Sequence, residues 1–238
     1  MSWNVLAHGP LRQLADNLWV VTGAVPNMSL ERTMVVARLA DHRLVIHSAI
    51  AMNDEEMTKL EALGTPRYLV VPNGWHRLDA RKYLERYPEM EVICPSDARA
   101  MVEEAVPVHA SYAERAQISS DDDTVGFEEF GGKKNMEGVM MVRSSDGVTA
   151  VFGDSLFNLP HQPGFFWFVY GRIMGATGGP KTTVLGRMFL RFGGSLRAYK
   201  DFLARLSERA DLVRLIPGHG DIVDEDARGV AAAVSRSL

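Results

Sequence analysis

Three apolar runs in this chain each break off into a glycine-marked turn that presents a lone histidine or aspartate. Leu69-Val70-Val71 leads into Pro72-Asn73-Gly74-Trp75-His76, Ala150-Val151-Phe152 into Gly153-Asp154, and Leu215-Ile216 into Pro217-Gly218-His219-Gly220-Asp221. Short apolar runs bounded by Gly and Pro read as buried strands. In sheets with helices packed on them, ligands gather at the strand ends where such loops converge. Histidine and carboxylate are the side chains that hold zinc, iron or manganese. Singly, each residue has an ordinary reading: His76 as a packing partner of Trp75, Asp154 as a turn former. At three equivalent strand ends together, His76, Asp154 and His219 become candidate metal ligands. His219 is the hardest to dismiss, because a proline and two glycines shape the loop that presents it.

The remaining pattern predicts strands and helices in turn. Leu18-Trp19-Val20-Val21-Thr22 is β-like, and residues 34–39 and 43–47 read as a hairpin. A helix opens at Asn53, whose side chain is a good cap, and stops at Gly64. A second runs over 80–87 until Pro88, a strand covers 91–94, and a third helix runs from Pro95-Ser96-Asp97 to about Val106. In the second half, strands at 125–127, 138–142 and 148–152 surround the turn Ser145-Asp146-Gly147. An amphipathic helix over 195–210, a strand over 212–216 and a final helix from Asp224 or Asp226 complete the order. This succession predicts an α/β (α+β) fold of mixed sheets with helices packed on them. A single domain over 1–238 is expected, with an aromatic, glycine-rich insert at about 159–194 that reads as a lid over an apolar substrate or as a homodimer contact.

Composition removes several classes. A net charge of -4 gives no electrostatic footprint for nucleic acid. The only cysteine, Cys94, rules out an internal disulfide and a Cys-rich zinc site, and its apolar setting reads as a buried strand thiol. The N-terminus lacks the basic start and apolar core of a signal peptide, and no stretch reaches the roughly 20 apolar residues of a membrane span. The expectation is a cytoplasmic protein with a small-molecule substrate of unknown identity.

Gly153-Asp154-Ser155-Leu156-Phe157 and Pro217-Gly218-His219-Gly220-Asp221, in that order, resemble the metallo-β-lactamase superfamily. The resemblance implies a four-layer αββα sandwich and a hydrolytic site of one or two metals. It implies that Asp154 is the aspartate that bridges metals in that family and His219 the late histidine ligand. The segment that normally reads His-x-His-x-Asp-His departs from the pattern. Asn73 stands where the first histidine belongs, His76 is one place out of register, and Asp79 is the candidate substitute. The middle histidine motif reads Gly132-Lys133-Lys134-Asn135-Met136-Glu137, without a histidine. Val45-Ile46-His47-Ser48, Pro72-Asn73-Gly74-Trp75-His76 and Asp154-Ser155-Leu156-Phe157-Asn158 resemble the divergent DUF4336-type branch, as does the place of Glu137.

A catalytic zinc keeps three protein ligands and an open position for water. His76, Asp154 and His219 supply that count for one zinc, iron or manganese ion, so a reduced, mononuclear site acting on an ester, amide or phosphoester is expected. Asp79 or Glu137 would be the catalytic carboxylate. His47, Asn73 and Trp75 would lie around the metal or the substrate. Lys133 and Lys134 argue against a second metal, since a nearby cation repels it. The alternative is a non-catalytic binding or scaffold protein that has lost the metal.

Overall fold

Both faces of the strands in the first half carry apolar side chains, so both faces must be covered. In the computed structural model, seven strands form one sheet in chain order: β1 (Arg12–Ala15), β2 (Leu18–Ala24), β3 (Glu31–Arg38), β4 (Arg43–His47), β5 (Thr65–Val70), β6 (Glu91–Cys94) and β7 (Ala110–Ser111). Pairing is antiparallel from β1 to β4 and parallel from β4 to β7. The structure describes residues 3–119, 122–130, 137–173 and 175–238, with the backbone alone at Ser119, Phe166 and Arg172. The predicted hairpin is β3–β4. The parallel crossovers carry α1 (Asp54–Leu63), α2 (Ala80–Arg86) and α3 (Arg99–Glu103). Asn53 caps α1 by accepting from the Glu56 amide at 2.9 Å. The helix expected from Pro95-Ser96-Asp97 to Val106 is shorter, a 3-10 turn at Ser96–Ala98 followed by α3.

A second sheet contains β8 (Gln117–Ser119), β9 (Asp122–Glu129), β10 (Gly138–Ser144), β11 (Gly147–Phe152) and, parallel to β11, β14 (Leu212–Ile216). A small third sheet places β12 (Phe157–Leu159) between β13 (Gly179–Lys181) and β15 (His219–Gly220). The insert forms two helices, α4 (Phe165–Arg172) and α5 (Val184–Phe192). Then come α6 (Leu196–Glu208) and α7 (Ala227–Ser237), the latter capped by Asp226, one of the two aspartates expected to start it.

Strand alternation assigns the layers. Trp19, Val36, Ile46 and Leu69 pack with Met57, Leu60, Tyr83 and Val102 of the first three helices. Their sequence neighbours Val20, Val35, Val45 and Val70 face the other way and pack on Val125, Met140, Val142 and Ile216 of the second sheet. The outer face of that sheet, with Ala150 and Leu215, is covered by Phe202, Leu203 and Ala231 of α6 and α7. The result is helices, sheet, sheet, helices: the αββα sandwich. The C-terminal ends of β4, β5, β11 and β14 carry or lead to His47, His76, Asp154 and His219: His47 closes β4, His76 and Asp154 lie in the loops after β5 and β11, and His219 opens β15 after β14. Among the described residues, no helix is long and apolar enough to cross a membrane.

Leu203 of α6 is fully buried against the second sheet. Leu203→Ala is expected to lower stability by about 2–5 kcal/mol, seen as an earlier urea midpoint at unchanged slope. A loss below about 1 kcal/mol would contradict this packing of α6.

Candidate metal centre

The first loop is organised by an amide. Asn73 has no exposure, and its Oδ1 accepts from the backbone N–H groups of Trp75 at 2.9 Å and His76 at 3.0 Å. That is an Asx turn, which folds the chain back and turns His76 inward. Its Nδ2 donates to Glu137 Oε1 at 2.6 Å and Asp154 Oδ2 at 3.0 Å. Every donor of the amide is used, and its oxygen takes two bonds. Asn73 thus ties three loops together from the place where the family pattern has a histidine.

The second and third loops meet at two glycines. Gly218 donates its N–H to Gly153 O at 3.2 Å, and a Cβ at Gly218 would stand 2.6 Å from that oxygen. Only glycine permits this approach. Behind it, Gly218 O accepts from the Thr33 amide at 3.0 Å, which fastens the loop to β3.

His76, Asp154 and His219 converge. His76 Nε2 lies 3.0 Å from Asp154 Oδ1, and His219 Nε2 lies 3.2 Å from the same oxygen. The three candidate donor atoms all fall within 4.8 Å of one another. Tetrahedral zinc with bonds of about 2.0–2.1 Å has its ligand atoms roughly 3.3 Å apart, so two of the three spacings already suit an ion. Each imidazole is also held from behind. Ser48 Oγ lies 2.8 Å from His76 Nδ1, and Glu31 O lies 2.6 Å from His219 Nδ1. A carbonyl only accepts, so His219 Nδ1 carries the hydrogen. With Nδ1 so committed, His219 presents Nε2 to a carboxylate oxygen, an arrangement that a cation or a proton between them satisfies. The donor set fits a metal ion on this ground. Ser48 takes its place at φ 55°, a left-handed conformation rare for serine.

Charge separates the two carboxyls beside the site. Burial works to raise Asp154, but the imidazoles of His76 and His219 outweigh it and hold its carboxyl far below the usual range. Glu137 is pushed up by burial and by the charge of Asp154, against the hydrogen bonds that it accepts from Asn73 and from the Asp154 and Ser155 amides. Glu137 borders the cavity over the site together with Asp154 and Trp75.

Asp79 and His47 lie elsewhere. Asp79 was expected to substitute for a ligand or to serve as the catalytic carboxylate. Its Oδ2 pairs with Arg32 and accepts from the Ala51 amide at 3.0 Å, and Lys82 Nζ lies 2.8 Å from Oδ1. With both oxygens engaged by cations and 2% exposure, it anchors the start of α2 rather than joining the three-residue cluster. His47 is buried without a hydrogen-bond partner on either ring nitrogen and stays outside that cluster. Trp75 is half exposed, with its ring 5.5 Å from Phe189 of α5. Lys133 and Lys134 lie outside the described residues.

Three participants were missed: Ser48 and the Glu31 carbonyl behind the imidazoles, and Phe189 over the site. Phe189 has a signal in the sequence, since Val184, Leu185, Met188, Phe189 and Phe192 recur at helical spacing. A backbone carbonyl has none.

Comparison with solved structures agrees with this architecture. The DIM-1 metallo-β-lactamase aligns over 97% of this chain and 99% of its own, at a TM-score of 0.63 and 13% identity. TMB-1 aligns over 98% of each chain at 0.60 and 12% identity. FIM-1 from Pseudomonas aeruginosa, in its mono-zinc form, covers 99% of this chain and 98% of its own at 0.61 and 12% identity. The chain has the metallo-β-lactamase fold. No family model matches the sequence, and no curated protein matches it.

His47 makes a pH prediction. Burial, with His76 adding to it, depresses its pKa to about 3 from 6.5. The unfolded chain therefore binds the extra proton first, so the contribution is fully present above pH 6.5 and fades as pH falls toward 3. The slope approaches about 1.4 kcal/mol per pH unit. Urea unfolding at pH 6 and pH 5 should show a steeper loss for the native chain than for His47→Leu. Equal losses would contradict a neutral, buried His47.

Proposed function

We propose that this chain is a metal-dependent hydrolase with a mononuclear site, in which His76, Asp154 and His219 hold one zinc, iron or manganese ion. The observation that carries the reading is the single oxygen, Asp154 Oδ1, faced by two imidazole Nε2 atoms while the opposite His219 nitrogen is committed to Glu31 O. A divalent cation bound there supplies Lewis acidity, which acidifies water and polarises a carbonyl or phosphoryl oxygen. The residues of the chain divide the other tasks. Ser48 and Glu31 O orient the two imidazoles. Asn73 holds Asp154 Oδ2, leaving Oδ1 for the cation. Glu137, at the cavity wall, is the carboxyl positioned for proton transfer to or from a substrate. Asp79 is committed to Arg32 and Lys82 and has no part in this scheme. The substrate class at this level is an ester, amide or phosphoester.

One observation favours the second reading, a binding or scaffold protein without metal. Asn73 closes a ring of protein hydrogen bonds where the family pattern would place a ligand.

The test strips the protein with a chelator, reloads it separately with zinc, manganese or iron(II), and assays 4-nitrophenyl esters and bis(4-nitrophenyl) phosphate. Turnover is expected to return with at least one metal. His219→Ala should lower it by about 100-fold or more while circular dichroism stays native. No turnover in any metal-loaded form would overturn the hydrolase reading in favour of the second.

A further inference from the structure

Two lobes open on either side of the candidate centre. The first has a volume of about 400 Å³ and the second about 410 Å³. Each is within the size range of small-molecule sites. Asp154 lines both, and so do Trp75 and Phe189, whose rings stand 5.5 Å apart and act as the partition. The first lobe is walled by Met188, Leu190 and Phe192. The second is walled by Leu30, Phe157 and Leu185. Both are therefore mostly apolar cavities that share Asp154 in their walls.

Charge sharpens the picture. Among the described residues, Arg32 is the one cationic side chain that lines either lobe. Its Nη1 donates to Ala49 O at 2.7 Å, and its Nη2 pairs with Asp79. Both terminal nitrogens are thus engaged within the protein, and among the described residues only Nε has no hydrogen-bond partner. Lys181, Arg187 and Arg191, the insert cations, line neither lobe. The carboxyls of Asp154 and Glu137 face the space instead. A charged arm lying along these apolar walls would be buried without polar partners, which costs far more than burying a neutral one.

We infer that the substrate is an uncharged carboxylic ester with a long apolar acyl or aryl arm, its carbonyl beside Asp154 and its arm in one of the two lobes. The inference rests on the hydrolase reading above and narrows it, setting phosphoesters aside. Water adds to the carbonyl carbon, the acyl–oxygen bond breaks, and the alcohol leaves with a proton. Trp75 and Phe189 act as specificity residues, because an arm must slide past their paired rings to reach either lobe. Each buried methylene should improve kcat/KM about threefold until the lobe is full.

The test has a binding arm and a turnover arm. N-phenyl-1-naphthylamine, a neutral apolar fluorophore, is titrated into the full chain with and without zinc. Saturable binding at one equivalent is expected in both forms, weakened about tenfold by Phe189→Ala. Leu185→Trp, which fills the second lobe without removing the partition, provides an independent variant. An absence of saturable binding, or binding indifferent to both variants, overturns the apolar site. In the turnover arm, zinc-loaded protein is given 4-nitrophenyl acetate, octanoate and decanoate, and bis(4-nitrophenyl) phosphate. The longer esters should exceed acetate and the phosphodiester by at least about tenfold in kcat/KM. Phe189→Ala should lose that preference, with the ratio of decanoate to acetate turnover falling at least about tenfold. Turnover that favours acetate or the phosphodiester overturns the substrate class and leaves the hydrolase reading intact. Saturable probe binding with no ester turned over in any metal form supports the apolar site and removes the hydrolase reading.

Discussion

The candidate centre hangs on the amide of Asn73. Its oxygen folds the first loop by holding the Trp75 and His76 amides, and its nitrogen grips the carboxyls of Glu137 and Asp154. Because the side chain is buried and saturated, removing any one of these bonds strands a polar group away from water, at a cost of about 1–3 kcal/mol. The pull on Asp154 Oδ2 also decides which oxygen is left for the imidazoles. One buried amide side chain thus positions the first loop together with Glu137 and Asp154.

The fold makes that control possible by bringing four strand ends together. β4 and β5 are parallel neighbours in one sheet, β11 and β14 in the other, and the apolar layer between the sheets fixes the two pairs face to face. The last approach is made by backbone: Gly153 and Gly218 touch closely enough that any Cβ on the latter would collide. Electrostatics then follow from packing. Two carboxyls stand together in a partly dry space, and the imidazoles settle which one carries charge, holding Asp154 low while Glu137 rises.

Much of the architecture was legible because it is periodic. The β3–β4 hairpin, the Asn53 cap, the turn before Gly147 and the amphipathic face of α6 all follow from local chemistry written in a few residues. The three strand-end polar residues were legible for the same reason, since Gly and Pro mark where apolar runs stop. At Asp79 spacing alone cannot tell a ligand from a buried anchor, because the partner that pairs with it, Arg32, is 47 positions away. Helices α4 and α5 were hidden behind glycines and rings that fit a loop equally well. The carbonyl of Glu31 and the left-handed serine at 48 leave no trace in a string of side chains.

The central claim is a site for one cation, and its most direct test is calorimetric titration of the metal-free, full-length chain with zinc. One equivalent is expected to bind with sub-millimolar affinity or better, and Asp154→Asn should abolish that binding while the chain keeps its unfolding free energy to within about 2 kcal/mol. Binding of two equivalents, or of none, would contradict a mononuclear centre built from His76, Asp154 and His219.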